Sequence, residues 1–405
     1  MQKVTERISA LRAEMERNGL SAYLIPSSDP HMGEYVPDFW QARSYFSGFT
    51  GSAGTLAVLR DRCGLWTDGR YFIQAEHQLA GSGIELFRMG VRGVPACSEF
   101  LAESLRKGDT AGFDGRMLSA ADVESMKEKF EEKGIGVRSA DLITPLWKNR
   151  PLPPATAVYL HGDEYAGLSC AQKLGQVRAG LKKDGADCQI YSRLECVAWL
   201  CNIRASDIEY TPVAVSYAAV FMDRAVLFLD APRLRPGVRE YLEKNGVTLR
   251  EYGEIEPFLK NLTGEKTVLV DPEGTNYELY RILKENPSCK VKKGADLVIG
   301  LKAVKNRTEI ENFRKAHVRD GCAMAEFCAD LEKRLKQGET VTECTVCDLL
   351  REARARQENN RGESFATIAA YRENAAMMHY SPKPDTCKTL EQSGLLLIDS
   401  GAQYP

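Results

Sequence analysis

The sequence lacks an excess of charge of either sign and long apolar runs. Its 405 residues include 54 Lys and Arg against 56 Asp and Glu, so the formal net charge is −2. Nucleic-acid and anionic-membrane binding usually require a basic surface, which this balance does not favour. No apolar run approaches the about 18 residues that span a bilayer, and the charged first residues lack the apolar core of a secretory signal. We therefore expect no nucleic-acid partner, no membrane partner and a cytoplasmic location.

Recognisable metal and nucleotide motifs are also lacking. Histidine is scarce, with five residues, and no HExxH sequence occurs. The twelve cysteines are scattered, which predicts reduced thiols in a chain without an export signal. Cys344 and Cys347 form a lone CxxC pair, for which a structural role is favoured over a metal or redox role. The glycines Gly48, Gly51 and Gly54 do not have dinucleotide- or phosphate-loop spacing and are interpreted as turn residues.

What is present is the composition of a folded protein, with 43% hydrophobic and 27% charged residues in a chain long enough for two or three domains. The proline-rich stretch Arg150–Pro154 indicates a boundary between two predicted domains, residues 1–150 and 155–295. The layout of Tyr45–Asp68, two strands followed by an Asp, recurs in Val197–Asp230. This weak internal duplication predicts two similar α/β domains.

A third predicted block covers residues 296–405. Thr308 and Glu311 have the spacing of a capping box, and a long amphipathic helix follows that should end near Gly338. The apolar residues predicted to face inward are Ile310, Phe313, Met324, Phe327, Leu331 and Leu335.

Three residues are candidates for chemistry, and the pattern alone leaves two readings open for each. Asp399 follows the apolar strand 395–398, which is typical of burial on both faces, and is either a turn or capping residue or a cation ligand. His379 stands shortly before Pro382 and is either an ordinary packed or exposed histidine or a catalytic one. Arg70, in a turn after a strand, is either a surface arginine or a functional one.

Eight stretches in family order resemble the three-domain Xaa-Pro aminopeptidases, also called aminopeptidase P, of the creatinase/prolidase superfamily. They extend over the whole chain and are specific when taken together. The stretches are IPSSDPHMGEY (25–35), FSGFTGSAGT (46–55), WTDGRYF (66–72), AWLCNIRASD (198–207), KAVKN (302–306), SFATI (364–368), NAAMMHYSP (374–382) and IDSGAQY (398–404).

The resemblance implies an α/β (α+β) architecture. Two creatinase-like N-terminal α/β domains, at residues 1–150 and 155–295, would precede the first, incomplete part of a pita-bread peptidase domain at 296–405. The implied activity is removal of an N-terminal residue that precedes proline, by two metal ions, usually manganese, that activate a bridging water.

The resemblance also implies site roles and a peptide partner. Asp399 would be a metal ligand, His379 would contact substrate and steady the tetrahedral intermediate, and Arg70 would reach toward the bound peptide. The substrate would be a peptide with proline in second position, and the full-length form is expected to be a homodimer.

One departure from the family pattern matters for activity. The family needs a second Asp, a His and two Glu after the DSGAQY motif, and the sequence stops before them. We expect this chain to be a fragment that does not fully bind two Mn²⁺ ions and is inactive alone. The alternatives are a non-catalytic pita-bread peptide-binding module and, disfavoured by WTDGRYF and DSGAQY, a metal-free amidinohydrolase.

Overall fold

The structure is a computed structural model that describes residues 3–405. Its first region contains six strands, which are β1 (Ala22–Pro26), β2 (Thr55–Leu59), β3 (Cys63–Thr67), β4 (Glu85–Arg88), β5 (Thr110–Phe113) and β6 (Gly136–Ser139). They form one sheet in the order β4-β3-β2-β1-β5-β6, in which β1, β2 and β3 are antiparallel and the outer pairings are parallel. The helices are α1 (Val4–Arg17), α2 (Ala42–Ser47), α3 (Phe72–Leu79), α4 (Cys97–Ser104) and α5 (Ala120–Glu131).

Helix α1 illustrates how the local sequence determines these elements. Ile8, Leu11 and Met15 are buried on one face, because residues three and four apart lie on the same side of a helix. Gly19 follows the helix with a φ of +62°, the left-handed conformation that ends helices and favours glycine. Both features follow from the local sequence.

The second region repeats the first sheet. Its strands are β7 (Tyr159–Leu160), β8 (Cys188–Tyr191), β9 (Ile203–Arg204), β10 (Tyr217–Phe221), β11 (Ala225–Phe228), β12 (Val247–Arg250), β13 (Lys266–Val270) and β14 (Cys289–Lys293). Six of them form a sheet in the order β12-β11-β10-β8-β13-β14, with the same pattern of parallel and antiparallel pairs. The predicted duplication is therefore confirmed at the level of topology. The helices here are α6 (Asp163–Ala166), α7 (Cys170–Asp184), α8 (Leu194–Cys201), α9 (Val238–Lys244), α10 (Ile255–Lys260), α11 (Tyr277–Glu285) and α12 (Leu297–Ala303).

The chain divides into two compact units, and both six-stranded sheets belong to the first. This unit consists of Met1–Leu160, of which 3–160 are described, together with Ser169–Ile208 and Val213–Ala303. The two sheets share a hydrophobic cluster in which, for example, the rings of Phe113 and Tyr277 are 5.8 Å apart. The sheet domains thus fold against each other.

The second unit consists of His161–Leu168, Glu209–Pro212 and Val304–Pro405. Its elements, besides α6, are α13 (Arg307–Lys336), α14 (Glu343–Ala355), β15 (Ile368–Tyr371) and β16 (Leu396–Asp399). The two strands pair antiparallel, and their inner side packs on a cluster around Phe327 and Leu350. Within residues 3–405, no helix combines the length and the apolar character needed to cross a membrane.

Two expectations for α13 are corrected. The capping box is formed by Asn306 and Glu309 rather than by Thr308 and Glu311, because the Asn306 side chain accepts from the Glu309 amide at 3.0 Å while the Glu309 carboxylate accepts from the Asn306 amide at 2.8 Å. The inward face is also shorter than predicted.

Phe327 is buried and Met324, Leu331 and Leu335 pack on the same cluster, whereas Ile310 and Phe313 are exposed. An apolar stripe shows which face of a helix is amphipathic, but it does not show how far a neighbouring element covers that face.

Candidate active site

Arg70 lies in the turn that follows β3. Its Nε and one terminal nitrogen donate to the two carboxylate oxygens of Asp68, each at 2.7 Å, and its guanidinium carbon is 5.3 Å from the centre of the Tyr71 ring. The hydrogen bonds from Arg70 to Asp68 raise the pKa of the arginine. The Arg70 side chain is 38% exposed, so a permanent cation is held in a defined orientation at the protein surface.

The glycine-rich segment before β2 supports this turn. The hydroxyls of Ser52 and Tyr71 are hydrogen-bonded at 2.6 Å, which links the segment to the residue after Arg70. A Cβ atom on Gly54 would lie 2.8 Å from the carbonyl oxygen of Trp66, so only glycine permits this close approach to β3. Gly54 is therefore needed for close packing against β3, a role that the prediction of a turn residue did not include.

Asp399 ends β16, opposite Ile368 on β15. The expected burial of this strand on both faces is wrong. Leu396 and Ile398 are half-buried against the unit's core, but Leu395 and Leu397 are 83% and 44% exposed, and Asp399 is also exposed. Successive side chains of a strand alternate between its faces, so Asp399 points to the uncovered face together with Leu397.

His379 is exposed in a turn after the 3₁₀ helix Arg372–Ala376. The preceding Met377 and Met378 are exposed as well. The 3₁₀ helix leaves the sheet at Tyr371, which pairs with Leu396, whereas Asp399 lies at the other end of the strand pair.

The backbone around His379 is held by a residue that the sequence did not point to. The buried carboxylate of Glu343 accepts hydrogen bonds from the hydroxyl of Tyr380 at 2.6 Å and from the side-chain amide of Asn374 at 3.0 and 3.1 Å. Asn374 and Tyr380 belong to the NAAMMHYSP stretch, and this stretch was the one sequence signal that could have pointed to Glu343. Glu343 itself reads as an ordinary acidic residue in the first turn of a helix.

A dinuclear metal site needs several ligands close together. Within residues 3–405, no three His, Cys, Asp or Glu side chains come together as a group that could hold a metal ion. Asp399 offers one hard oxygen ligand, which suits Mn²⁺ chemically but does not complete a site. These residues alone do not fit a two-metal centre. Arg70 belongs to the first unit, and His379 and Asp399 belong to the second.

Comparison with family models covers the chain in three blocks. Residues 7–143 and 149–309 each match a creatinase/prolidase N-terminal domain. Residues 311–405 match metallopeptidase family M24. The first two matches correspond to the two six-stranded sheets, and the third corresponds to α13, α14 and the strand pair.

Individual relatives match over nearly the whole chain. Aminopeptidase P2 of Arabidopsis thaliana is 36% identical over 99% of this chain and 61% of its own length, and a probable Xaa-Pro aminopeptidase P of Sordaria macrospora is 35% identical over 99% and 67%. The crystal structure of X-prolyl aminopeptidase from Caenorhabditis elegans, described as a cytosolic enzyme with a di-nuclear active site, superposes with a TM-score of 0.93 at 31% identity, over 100% of this chain and 68% of that one. The chain thus spans roughly two thirds of the length of these relatives. Together, the shared sequence, the repeated sheets and the M24 block show that the chain belongs to the Xaa-Pro aminopeptidase (aminopeptidase P) family.

Proposed function

We propose that this chain contributes to an Xaa-Pro aminopeptidase, which hydrolyses the peptide bond between an N-terminal residue and a following proline. The observation that carries the proposal is the TM-score of 0.93 to the C. elegans X-prolyl aminopeptidase over the whole of this chain. The identity of 36% to Aminopeptidase P2 of A. thaliana and of 31% to the C. elegans X-prolyl aminopeptidase supports the same activity.

Arg70 and His379 are the proposed substrate contacts. The guanidinium of Arg70 is charged, exposed and oriented by Asp68, so it is suited to a peptide carbonyl or carboxylate. The imidazole of His379 can donate a hydrogen bond or a proton to the scissile carbonyl as negative charge develops. Both roles require accessible side chains, and both side chains are exposed.

Asp399 is the proposed metal ligand of this chain. Two Mn²⁺ ions are the proposed metals, and when bound they would supply a water of lowered pKa and polarise the scissile carbonyl. Because no three ligands gather within residues 3–405, further ligands must join Asp399 for a complete site. We expect the 405-residue chain alone to bind Mn²⁺ weakly and to be inactive.

The proposal extends to assembly and location. Cytoplasmic function is proposed because the C. elegans relative is described as cytosolic. A homodimer of the full-length form remains part of the proposal. The domain limits 1–150, 155–295 and 296–405 are likewise proposed as the functional division of the chain.

The proposal is tested by peptide cleavage with added Mn²⁺. The substrates are a fluorogenic tripeptide with proline in second position and the same peptide with alanine there. The samples are the 405-residue chain and the longest natural protein that contains it. We expect the latter to release the N-terminal residue of the proline peptide only. Peptide binding without cleavage by either sample would instead favour a non-catalytic peptide-binding module.

Variants assign the residues. His379→Ala should lower kcat by about 10²–10³, the usual cost of losing a donor to a developing oxyanion. Asp399→Asn should abolish cleavage and weaken Mn²⁺ binding, measured independently by electron paramagnetic resonance of the free ion. The matched controls His317→Ala and Asp385→Asn change exposed residues of the same unit and should do neither.

A further inference from the structure

Glu343, the first residue of α14, is a carboxylate without access to solvent. Its exposure is 0%, so water cannot satisfy the oxygens of this carboxylate. A buried carboxylate is costly unless hydrogen bonds replace its water. The hydrogen-bond donors to Glu343 therefore indicate its structural role.

Four donor groups meet this one carboxylate. The Tyr371 amide donates to Oε1 at 2.6 Å, and the Lys388 amide donates to Oε2 at 2.8 Å. The hydroxyl of Tyr380 donates to Oε2 at 2.6 Å, and the side-chain amide of Asn374 bridges both oxygens. Burial alone would raise the pKa of Glu343, but the hydrogen bonds outweigh it and hold that pKa below its usual range.

These donors share one property, which is that all lie in the segment 371–388. Tyr371 opens the segment at the end of β15, Asn374 lies in its 3₁₀ helix, and Lys388 closes it. The fourth donor, Tyr380, directly follows His379. The residues between, Met377 and Met378, are exposed and provide little packing. Glu343 thus fixes both ends and the middle of an otherwise exposed loop.

We propose that Glu343 is a positioning residue for His379: it acts through the peptide segment 371–388 and does not itself touch substrate. The catalytic role of His379 rests on the proposed function. The positioning of the segment 371–388 by Glu343 does not depend on that role. Lys388 contacts Glu343 in two ways: besides the bond from the Lys388 amide to Oε2, the Glu343 amide donates to the Lys388 carbonyl at 2.9 Å. This second bond joins the start of α14 to the end of the segment 371–388.

The substitution Glu343→Gln tests this with little change of shape. A glutamine has one acceptor oxygen, and its NH₂ group would face donors that carry hydrogens already. Tyr380→Phe is the second variant, because it removes one donor and leaves the carboxylate and the ring. The control is Glu339→Gln, the same exchange at an exposed residue that pairs with Arg334.

Hydrogen–deuterium exchange on the 405-residue chain is the first readout. Glu343→Gln and Tyr380→Phe should each speed exchange in 371–388 by about tenfold, the factor expected for one lost hydrogen bond, while α13 keeps the wild-type rate. The ring signals of His379, assigned by His379→Ala, should shift or broaden in the nuclear magnetic resonance spectrum. Uniform acceleration over the whole second unit, or no acceleration in 371–388, would overturn the proposal.

A double-mutant cycle on the preparation that cleaves Xaa-Pro peptides is the second readout. Glu343→Gln should lower kcat by about ten- to a hundredfold with a smaller change in KM, since a misplaced catalytic group has a cost of this size. In the His379→Ala background the same change should cost less than about twofold. If the loss of kcat in the double variant equalled the product of the two single losses, Glu343 would not act through His379. If the longest natural protein that contains this chain cleaves no such peptide, the proposed function fails. The hydrogen–deuterium exchange experiment still tests whether Glu343 positions the segment 371–388.

Discussion

The two six-stranded sheets have the same topology, but the arginine after the corresponding strand has a different environment in each. After β3, Arg70 pairs with Asp68, and the side chains are 38% and 35% exposed. After β11, Arg233 pairs with Asp207, and the side chains are 8% and 0% exposed. The first pair lies within one turn, whereas the second joins distant parts of the chain.

The difference separates a surface site from a structural one. Asp207 also accepts from the amide of Thr156 at 2.9 Å and from that of Val215 at 2.7 Å, so Arg233 neutralises a carboxylate that already organises three segments. Exposed pairs contribute about 0–1 kcal/mol, so Arg70–Asp68 adds little to stability. One copy of the fold thus buries this arginine in a stabilising ion pair, and the other copy leaves it exposed, as the proposed substrate contact of Arg70 requires.

The largest expected effect is on the buried pair. Arg233→Ala leaves the Asp207 carboxylate buried without a counter-charge and should lower the free energy of unfolding of the first unit by about 3–5 kcal/mol. Tryptophan fluorescence during urea unfolding measures this, because all four tryptophans belong to the first unit.

The control for Arg233 is Arg239→Ala on α9. Arg239 pairs with Glu243, and both side chains are about half exposed. This change should cost less than about 0.5 kcal/mol. Similar losses for both variants would show that burial does not distinguish the two kinds of arginine.

The next effect is a pH dependence of the free energy of unfolding. It arises from His31, a buried residue that joins the two sheet domains. Its Nδ1 contacts the Ser192 carbonyl at 2.8 Å and its Nε2 contacts the Tyr252 hydroxyl at 3.0 Å. Burial lowers the pKa of His31 below 6.5, although the nearby Asp29 opposes the shift. The unfolded chain then binds a proton more readily than the folded one below about pH 6.5.

The free energy of unfolding should therefore be highest above that pH and should fall as pH decreases, by at most about 1.4 kcal/mol per pH unit from this group. His31→Asn should flatten the dependence between about pH 6.5 and 5, measured by the same fluorescence. His77→Asn, at an exposed position of α3, should leave the slope unchanged. An unaltered slope in His31→Asn would assign the dependence to other groups.

The sheets were predictable because their signals are local. β1 and the β2–β3 hairpin follow from short apolar runs and the turn residues beside them, and the duplication followed from a repeated order of such signals. Which apolar faces are covered by other elements was not predictable, because the covering elements are distant in sequence. Phe313 and Leu397 are as apolar as core residues, and nothing local indicates that they are exposed.

The site shows the same limit. Arg70, His379 and Asp399 were found through short motifs, and the pairing of Arg70 with Asp68 is itself local. Glu343 was missed because its partners lie between 28 and 45 residues further along the chain. A first-turn glutamate usually faces solvent and complements the helix dipole, so only the fold identifies this one as a buried anchor.

The smallest expected effect on stability is that of Arg70→Ala, and it is the strictest test of the comparison. The free energy of unfolding should change by less than about 0.5 kcal/mol, because both partners of the pair are well exposed. Cleavage of the proline peptide should nevertheless fall by about 10–100-fold in kcat/KM, the cost of losing a hydrogen bond from a charged group. Arg92→Ala, another exposed arginine of the same domain, should alter neither quantity. A stability loss like that of Arg233→Ala would make Arg70 structural, whereas unchanged stability with unchanged cleavage would remove Arg70 from the substrate site and leave the exposed turn without a function.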